Sequence, residues 1–273
     1  MPDAVAGGAA PVEPGAALLE LRGVTKSFGP VRALSKVDMV VPPAQVTALV
    51  GDNGAGKSSL IKTVSGLWEP DEGEILWEGR PVRLHGPKDA EHLGITTIYQ
   101  DLALCDNLDI VQNMFLGHEP RRYGLLDEDT MEAAARQTLA DLSVVTVRSI
   151  RQPVASLSGG QRQSVAVAKA VMSHAKLVIM DEPTAALGVA QTEMVLNLIR
   201  RLSSQGVAVL VISHNLVDVF AVADRLAVLY LGRMVSSGPA SNYDRQSVVE
   251  LMTTGGATHQ SVAAGRTATA TGG

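Results

Sequence analysis

The sequence has little of what marks secreted, membrane-spanning or nucleic-acid-binding proteins. It contains one cysteine, Cys105, so no disulfide can form within the chain. No apolar run approaches the roughly 18–20 residues that span a bilayer, and the longest aliphatic run covers residues 207–212. Acidic residues outnumber basic ones by 28 to 23, which argues against direct binding of nucleic acid. We therefore expect any membrane role to be peripheral and to depend on a partner.

The composition is that of a globular protein between two low-complexity ends. Hydrophobic residues make up 46% of the 273 residues, enough for a sizeable buried core. Residues 1–17 are rich in Ala, Gly and Pro, and residues 255–273 are rich in Gly, Thr and Ala, so we predict a disordered tail at each end. After residue 40, predicted strands alternate with helices, which indicates an α/β fold with a mostly parallel sheet flanked by helices.

The amino-terminal part reads as antiparallel strands. Residues 18–24 alternate apolar and polar side chains, as a half-exposed strand does, and residues 26–29 are predicted to form a turn. Residues 74–77 and 82–84 have the pattern of a further short antiparallel pair. The sequence therefore predicts an antiparallel β subdomain before the main sheet.

The middle of the chain changes character. Residues 109–116 and 127–142 have helical periodicity, and a further helix is predicted after residue 158. These helices interrupt the alternation of strands and helices in the core. We therefore predict an inserted α-helical subdomain over about residues 101–172.

A glycine-rich segment follows the predicted strand at residues 46–50 and runs into a predicted helix. It fits the pattern G-x-x-x-x-G-K-[ST] of a phosphate-binding loop, in which backbone N–H groups surround an anion at a helix start. Lys57 would reach the β- and γ-phosphates, and Ser58 would place its hydroxyl on Mg²⁺. The alternative is a glycine-rich turn that matches by chance. The residues predicted to hold the phosphates are Gly51, Asp52, Asn53, Gly54, Ala55, Gly56, Lys57, Ser58 and Ser59.

Polar residues come directly after three other predicted strands, namely Gln100, Asp181 and His214. Because the carboxyl ends of parallel strands meet at one edge of a sheet, we expect these side chains to converge with Gly51 on one rim. There Asp181 would hold Mg²⁺, and Glu182 would polarise the water that attacks the γ-phosphate. Gln100 can bind Mg²⁺ or water through its carbonyl oxygen, and His214 can contact the γ-phosphate or that water.

Each of these residues also has a plainer interpretation. Asp181 can be a helix cap with a solvated Glu182 beside it, and a lone histidine such as His214 is more often structural than catalytic. The nearby phosphate loop favours the functional interpretation.

A second glycine pair stands at a predicted helix start, in Ser158, Gly159, Gly160 and Gln161. It can be a second anion site, in which case a head-to-tail pair of chains would grip each nucleotide from both sides, or a plain helix entry. Phe28 is one of only three phenylalanines. It can be an ordinary core aromatic or a platform for a purine ring, and its position alone does not decide between them.

Taken together, these segments resemble the nucleotide-binding subunit of ABC transporters over about residues 18–253. Residues 51–59 match the Walker A motif and residues 177–182 match Walker B. Residues 157–161 read LSGGQ, the signature that separates this family from other P-loop NTPases. The resemblance implies a P-loop NTPase core, an ABC nucleotide-binding domain over residues 18–254, and ATPase activity coupled to transport across a membrane.

The resemblance also implies ATP and Mg²⁺ as ligands and a role for each motif residue. Phe28 would stack on adenine, and the metal would be held by Ser58, Gln100 and Asp181. The residues implied in catalysis are Lys57, Gln100, Glu182 and His214, with Glu182 as the general base. The signature residues of one copy would bind the nucleotide of the other, so that two ATP close a homodimer. These signature residues are Ser158, Gly159, Gly160 and Gln161.

A narrower resemblance is to bacterial importers of ribose, xylose and fructose, carried by residues 51–54, 98–108 and 213–216. Members of that branch are often two nucleotide-binding domains in one chain, and this sequence is similar to the shorter, fructose- or xylose-type form. One departure from the wider family is the D-loop, where Ala-Ala-Leu-Gly at residues 185–188 replaces Ser-Ala-Leu-Asp. The Asp that normally reaches across the dimer is therefore missing.

The partners implied are a second copy of the chain, integral-membrane permease subunits and, indirectly, a sugar-binding protein, on the cytoplasmic face of the membrane. Two alternatives stay open. One is a subunit of an exporter or of another importer class. The other is an ABC ATPase of translation or DNA repair, although the acidic charge and the lack of a coiled-coil insertion speak against it.

Overall fold

The computed structural model describes residues 17–144, 147 and 149–256. The predicted disordered tails therefore lie outside the described residues, apart from residues 17, 255 and 256. In chain order the elements are β1 (Leu19–Phe28), β2 (Val31–Val41), β3 (Val46–Val50), α1 (Lys57–Val64), β4 (Glu72–Trp77), β5 (Arg80–Val82), α2 (Pro87–Leu93), β6 (Ile95–Ile98), α3 (Ile110–Phe115), β7 (Arg121–Arg122), β8 (Leu125–Leu126), α4 (Glu128–Asp141), α5 (Gly159–Met172), β9 (Leu177–Asp181), α6 (Val189–Ser204), β10 (Ala208–Ile212), α7 (Leu216–Val222), β11 (Arg225–Tyr230), β12 (Arg233–Pro239) and α8 (Arg245–Thr254).

The main sheet has six strands in the order β12-β11-β3-β10-β9-β6. Neighbouring strands from β11 to β6 run parallel, and β12 pairs antiparallel at one edge. β3 and β10 are buried along their whole length, as expected for strands covered on both faces. The predicted α/β fold is confirmed. Because β3, β10, β9 and β6 are neighbours, the residues that follow them meet at one edge of the sheet.

The amino-terminal sheet is antiparallel, as predicted, with the order β2-β1-β4-β5. The predicted turn at residues 26–29 is wrong, because β1 continues to Phe28, which pairs with Val31. The chain reverses at Gly29 and Pro30, and Gly29 has the positive φ of 56° that glycine accommodates without strain. Irregular register along β1 breaks the alternation of side chains before the strand ends, which explains the error.

Two short elements between β4 and β6 also differ from the prediction. β5 ends at Val82 instead of beginning there, because the turn after β4 occupies only Glu78 and Gly79. α2 was not expected, since seven residues are too few to show helical periodicity. Its limits follow familiar signals, with Pro87 in its first turn and Gly94 at its end with a φ of 87°.

The segment between β6 and β9 is helical, as predicted, with the small hairpin β7–β8 before α4. α3 and α5 each begin with a capping box, set by Asp109 and Ser158. These helices share one hydrophobic cluster with the main sheet, which includes Val165 of α5 and Met180 of β9. The other face of the sheet packs on α1 and the amino-terminal strands.

Candidate nucleotide-binding site

The loop between β3 and α1 has backbone positions that require glycine. A Cβ at Gly51 would lie 2.4 Å from the carbonyl oxygen of Leu229, and a Cβ at Gly56 would lie 2.7 Å from that of Ala33. Gly56 also has a φ of 104°. No side chain caps α1, whose first-turn N–H groups have no partner within the helix. The loop therefore presents a helix start that suits an anion.

Lys57 is folded back over the loop. Its Nζ donates hydrogen bonds to the carbonyl oxygens of Gly51, at 2.7 Å, and Asp52, at 3.0 Å. Within the described part of the chain, no carboxylate lies at ion-pair distance from this ammonium group. Its positive charge therefore adds to that of the helix start and favours a phosphate group between the two.

A cavity of about 530 Å³ opens above the loop. It brings together Lys57 with Gln100, Asp181 and Glu182, which come from the ends of β6 and β9. Of the four residues predicted to converge on one rim, Gln100 and Asp181 line the cavity, whereas Gly51 and His214 do not. Asp52 of the loop is also absent from the lining. The lining residues are Val31, Arg32, Ala33, Asn53, Gly54, Ala55, Gly56, Lys57, Ser58, Ser59, Gln100, Asp181, Glu182, Leu231 and Gly232.

Glu182 is held in an unusual backbone conformation beside His214. Its φ is 50°, and its N–H donates to the carbonyl oxygen of Ile212 at 2.9 Å. Nδ1 of His214 lies 2.8 Å from Oε1 of Glu182, and the imidazole N–H donates because an ionised carboxylate only accepts. The Glu182 side chain is 17% exposed, while that of His214 is 67% exposed. The histidine therefore contacts the site through Glu182.

Asp181 carries a partly buried carboxylate. Burial raises its pKa, the charge of Glu182 raises it further, and Lys57 and Lys62 lower it. A divalent cation would relieve this cost, and the hydroxyl of Ser58 and the amide of Gln100 line the same cavity. Hard oxygen donors of this kind are those that Mg²⁺ prefers, usually completed by phosphate oxygens and water. The donor set therefore fits Mg²⁺ bound together with a phosphate. Among the described residues, no group of three or more His, Cys, Asp or Glu is arranged to hold a metal ion by itself.

The signature segment lies outside this cavity. The Ser158 hydroxyl accepts a hydrogen bond from the Gln161 N–H at 3.4 Å, and the Gln161 side chain accepts one from the Ser158 N–H at 2.9 Å. A Cβ at Gly159 would lie 2.7 Å from Cδ2 of Leu187, so the signature packs against the segment before α6. The structure thus does not unite Ser158, Gly159, Gly160 and Gln161 with the phosphate loop of the same chain.

Gly188, at the missing D-loop Asp, is the residue before α6. Its backbone is extended, with φ −73° and ψ 164°, and it supplies no side-chain cap. A Cβ placed there would meet no atom within 4 Å. No neighbouring atom would therefore exclude a side chain at this position.

Phe28 is neither in the core nor in the cavity lining. It is 40% exposed, and its ring centroid lies 4.5 Å from that of Trp68 in an edge-to-face contact. Its strand partner Val31 does line the cavity. The interpretation as an ordinary core aromatic is thus wrong, and Phe28 stands beside the site.

Sequence reasoning missed one wall of the cavity, formed by β2 and the turn between β11 and β12. The N–H of Gly232 donates to the carbonyl oxygen of Ala55 at 2.8 Å, and its own carbonyl accepts from the Ser35 N–H at 2.8 Å. Nothing in the sequence pattern of β2 indicates that Val31 and Arg32 reach the loop.

The comparisons with known proteins agree with this geometry. The family model described as ABC transporter matches residues 34–185, more than half of the chain. The chain belongs to the ABC transporter family. The resemblance expected from the sequence is confirmed, as is its ATPase class.

Similar curated proteins are named for sugar import. The fructose import ATP-binding protein FrcA of Rhizobium meliloti is 46% identical over 86% of this chain and 94% of its own length. The xylose/arabinose import ATP-binding protein XylG of Sulfolobus acidocaldarius is 45% identical, with the same shares covered. The ribose import ATP-binding protein RbsA 1 of Rubrobacter xylanophilus is 44% identical, but only 46% of its length is matched. The narrower resemblance to this branch is confirmed.

Solved structures share the fold. A nucleotide-free ATP-binding cassette from an ABC transporter aligns with a TM-score of 0.76 and 26% identity, over 86% of this chain and 98% of that one. A dimeric cassette, MJ0796 bound to ADP and Pi, aligns with a TM-score of 0.68 and 23% identity, over 81% and 98%, and shows the fold alone. Among the residues described in this chain, none of the helices combines the length and the apolarity needed to cross a bilayer.

Proposed function

We propose that this chain is the ATP-binding and ATP-hydrolysing subunit of an ABC importer for a monosaccharide. The observation that carries the proposal is one cavity that joins the phosphate loop to Gln100, Asp181 and Glu182. The sugar specificity named for FrcA and XylG, which match over most of their length, supports the substrate class. The nucleotide-binding domain is assigned to residues 18–254, with its helical subdomain at about 101–172.

Within the cavity, the triphosphate lies on the loop formed by residues 51–59. Lys57 contacts the β- and γ-phosphates, where its ammonium offsets negative charge. Glu182 accepts the proton of the attacking water, and the His214 N–H orients this carboxylate and senses the γ-phosphate. Bound Mg²⁺ supplies charge neutralisation of the phosphates, and the side chains assigned to it are Ser58, Gln100 and Asp181.

The signature segment acts in a homodimer. Because Ser158 caps α5 away from the cavity of its own chain, a second copy in head-to-tail orientation is needed to bring such a helix start to the γ-phosphate. The MJ0796 cassette, which shares the fold, is itself described as dimeric. Phe28, at the edge of the cavity, stacks on the adenine ring. Two ATP close the dimer, and hydrolysis reopens it.

The homodimer works at the cytoplasmic face of the membrane, on permease subunits that receive the sugar from a separate binding protein. The test is a purification of the tagged full chain from gently solubilised membranes, with its partners identified by mass spectrometry. We expect a polytopic permease and a sugar-binding protein. Cells that lack the chain should lose uptake of at least one of labelled fructose, xylose or ribose. Recovery of ribosomal or DNA-repair proteins without a membrane protein would overturn the transport assignment and leave the ATPase assignment standing.

A further inference from the structure

We propose that Asn113 and the Asp106–Arg162 ion pair are positioning groups that join the loop after Gln100 to the segment before Ser158. Contact of Gln100 with nucleotide in one site would thereby set the position of the signature segment offered to the second copy. The inference rests on the proposed function, which places Gln100 at the nucleotide and Ser158 at the dimer partner. It adds the side chains that connect them.

The first observation is a set of backbone hydrogen bonds between residues 105–111 and residues 150–156, called here the paired segments. The N–H of Val154 donates to the Leu108 carbonyl at 3.0 Å, and the N–H of Ala155 donates to the Asp106 carbonyl at 3.1 Å. Residues 109 and 153 form an isolated antiparallel bridge between them. The paired segments therefore move together unless these bonds break.

Asn113 holds the first of the paired segments, residues 105–111, through hydrogen bonds of its side chain. It lies on α3, and only 1% of its surface is exposed. Its Oδ1 accepts from the Cys105 N–H at 2.7 Å, and its Nδ2 lies 3.0 Å from the Cys105 carbonyl, 3.2 Å from that of Leu108 and 2.9 Å from that of Asp109. One buried amide thus satisfies both polar groups of Cys105 and holds the whole loop to α3.

Charged side chains tie the paired segments to the neighbouring helices. On α5, Arg162 lies 3.0 Å from an Asp106 carboxylate oxygen and also donates to the Ala155 carbonyl at 3.4 Å. Arg151 bonds to Asp109 at 3.2 Å and, on α4, to Glu132 at 2.6 Å. Arg162 directly follows the signature, so the loop after Gln100 and the start of α5 are held through one guanidinium group.

The chain between these groups is short. Four residues separate Gln100 from Cys105, and two separate Ala155 from Ser158. Leu102 and Leu104 in the first connection pack against the hydrophobic cluster of the helical segment. Because these connections are short and packed, a displacement of Gln100 should be transmitted to the paired segments.

The test is hydrogen–deuterium exchange in the full chain carrying Glu182→Gln, a variant that should bind ATP without hydrolysing it. Exchange is followed in peptides covering residues 100–111 and 150–157, with and without Mg²⁺ and ATP, at a protein concentration that keeps the chain monomeric. In this parent we expect ATP to slow exchange in both peptides by about an order of magnitude. Adding Asn113→Leu should leave the ATP-dependent slowing of exchange at residues 100–104 unchanged. It should reduce the slowing at residues 150–157 to less than half.

Asp106→Arg, at an exposed position, and Arg162→Asp, at a partly exposed one, test the same link without a change in the buried core. Each single change should weaken the ATP-dependent slowing of exchange at residues 150–157. The double variant, in which the two charges are exchanged, should restore it. Thr138→Val, which removes a side-chain hydrogen bond on α4 away from the paired segments, is the matched control and should keep the full response.

The outcomes separate the two proposals. A parent that fails to bind ATP would overturn the proposed function and this inference with it. A parent that binds ATP but responds only in residues 100–111 would overturn the inference alone, as would an Asn113→Leu protein with unchanged response in residues 150–157. A charge exchange that does not restore the response would remove the Asp106–Arg162 pair from the role.

Discussion

Two helices of this chain begin at glycine-rich segments, but their first turns differ. α1 starts after Gly56, whose positive φ and lack of a side chain leave the helix uncapped. α5 starts after Ser158, which exchanges hydrogen bonds with Gln161 in a capping box. The N-terminus of α1 is thus built for an external anion, whereas that of α5 is already stabilised by its own side chains.

This difference shows which of the two helix starts carries the energetically unfavourable features. The α1 side combines crowded glycines, the mutually repelling carboxylates of Asp181 and Glu182, and the left-handed backbone of Glu182. On the α5 side, Gly159 is crowded only by the end of the Leu187 side chain, and the capping box of Ser158 and Gln161 stabilises the helix start without ligand. Under the proposed function, nucleotide binds first to the α1 side, and the α5 side of a second chain completes the site.

The largest effect is expected from Glu182→Gln. The amide cannot accept the proton of the attacking water, so ATP turnover should fall by about 10²–10⁴-fold while ATP binding persists. The variant should then accumulate as an ATP-bound dimer, measured by size-exclusion chromatography with light scattering. Glu193→Gln, on α6, is the matched control. Near-normal turnover by Glu182→Gln would remove this residue from its proposed role.

A pair of glycine substitutions compares the two helix starts directly. Gly51→Ala forces a Cβ against the rigid Leu229 backbone, so it should abolish ATP binding and lower the melting temperature. Gly159→Ala meets the end of the Leu187 side chain, which can rotate away. It should keep monomer affinity for ATP within about twofold and weaken turnover only. Both quantities are measured by calorimetry and a phosphate-release assay, and equal loss of binding in the two variants would contradict the comparison.

Ser158→Ala tests the capping box of α5. Loss of this cap should lower the free energy of unfolding by about 1 kcal/mol, measured with urea. ATP turnover should also fall, because the Ser158 hydroxyl can no longer contact the nucleotide bound by the second copy. Binding of ATP by the monomer should be unchanged. Ser203→Ala, away from both helix starts, serves as the control. If Ser158→Ala lost as much ATP binding as Gly51→Ala, the α5 side would contribute to nucleotide binding already in the monomer, which would contradict the prediction.

The smallest effect concerns Asp181 without nucleotide or metal. Burial raises its pKa above that of the unfolded chain, so the folded state disfavours the ionised form. This carboxylate therefore costs no stability at low pH and becomes destabilising as the pH rises from about 4 through the raised pKa. Asp181→Asn should be more stable than the parent at pH 7 in EDTA, with the difference vanishing as the pH falls. Urea denaturation at several pH values measures it, and a constant difference would contradict the prediction.

The chemistry near the phosphate loop was predictable because it follows strands. Buried parallel strands have a simple apolar pattern, so the positions of Gln100, Asp181 and Glu182 at strand ends could be read directly, and sheet order brings those ends together. His214 was placed at the same rim, but its contact with the site through Glu182 depends on the left-handed turn at Glu182. The sequence contains no signal for that conformation.

The remaining features depend on long-range contacts. Phe28 lies in a strand because of pairing with Val31, which local pattern did not reveal. The wall formed by β2 and Gly232 requires the amino-terminal sheet to fold over the loop, and α2 is too short for its periodicity to be recognised. Separation of the signature from the cavity was expected from the family's dimer, and the packing of Gly159 against Leu187 is a long-range contact that the sequence does not reveal.

Gly188 has a consequence for the history of this protein. Its backbone already has the extended shape of a helix cap, and the space around a side chain there is open. An aspartate at this position is one base change away from a glycine codon and would supply the side-chain cap that α6 lacks. In the proposed dimer, a side chain at this position can therefore be gained or lost in a single step without rebuilding the fold.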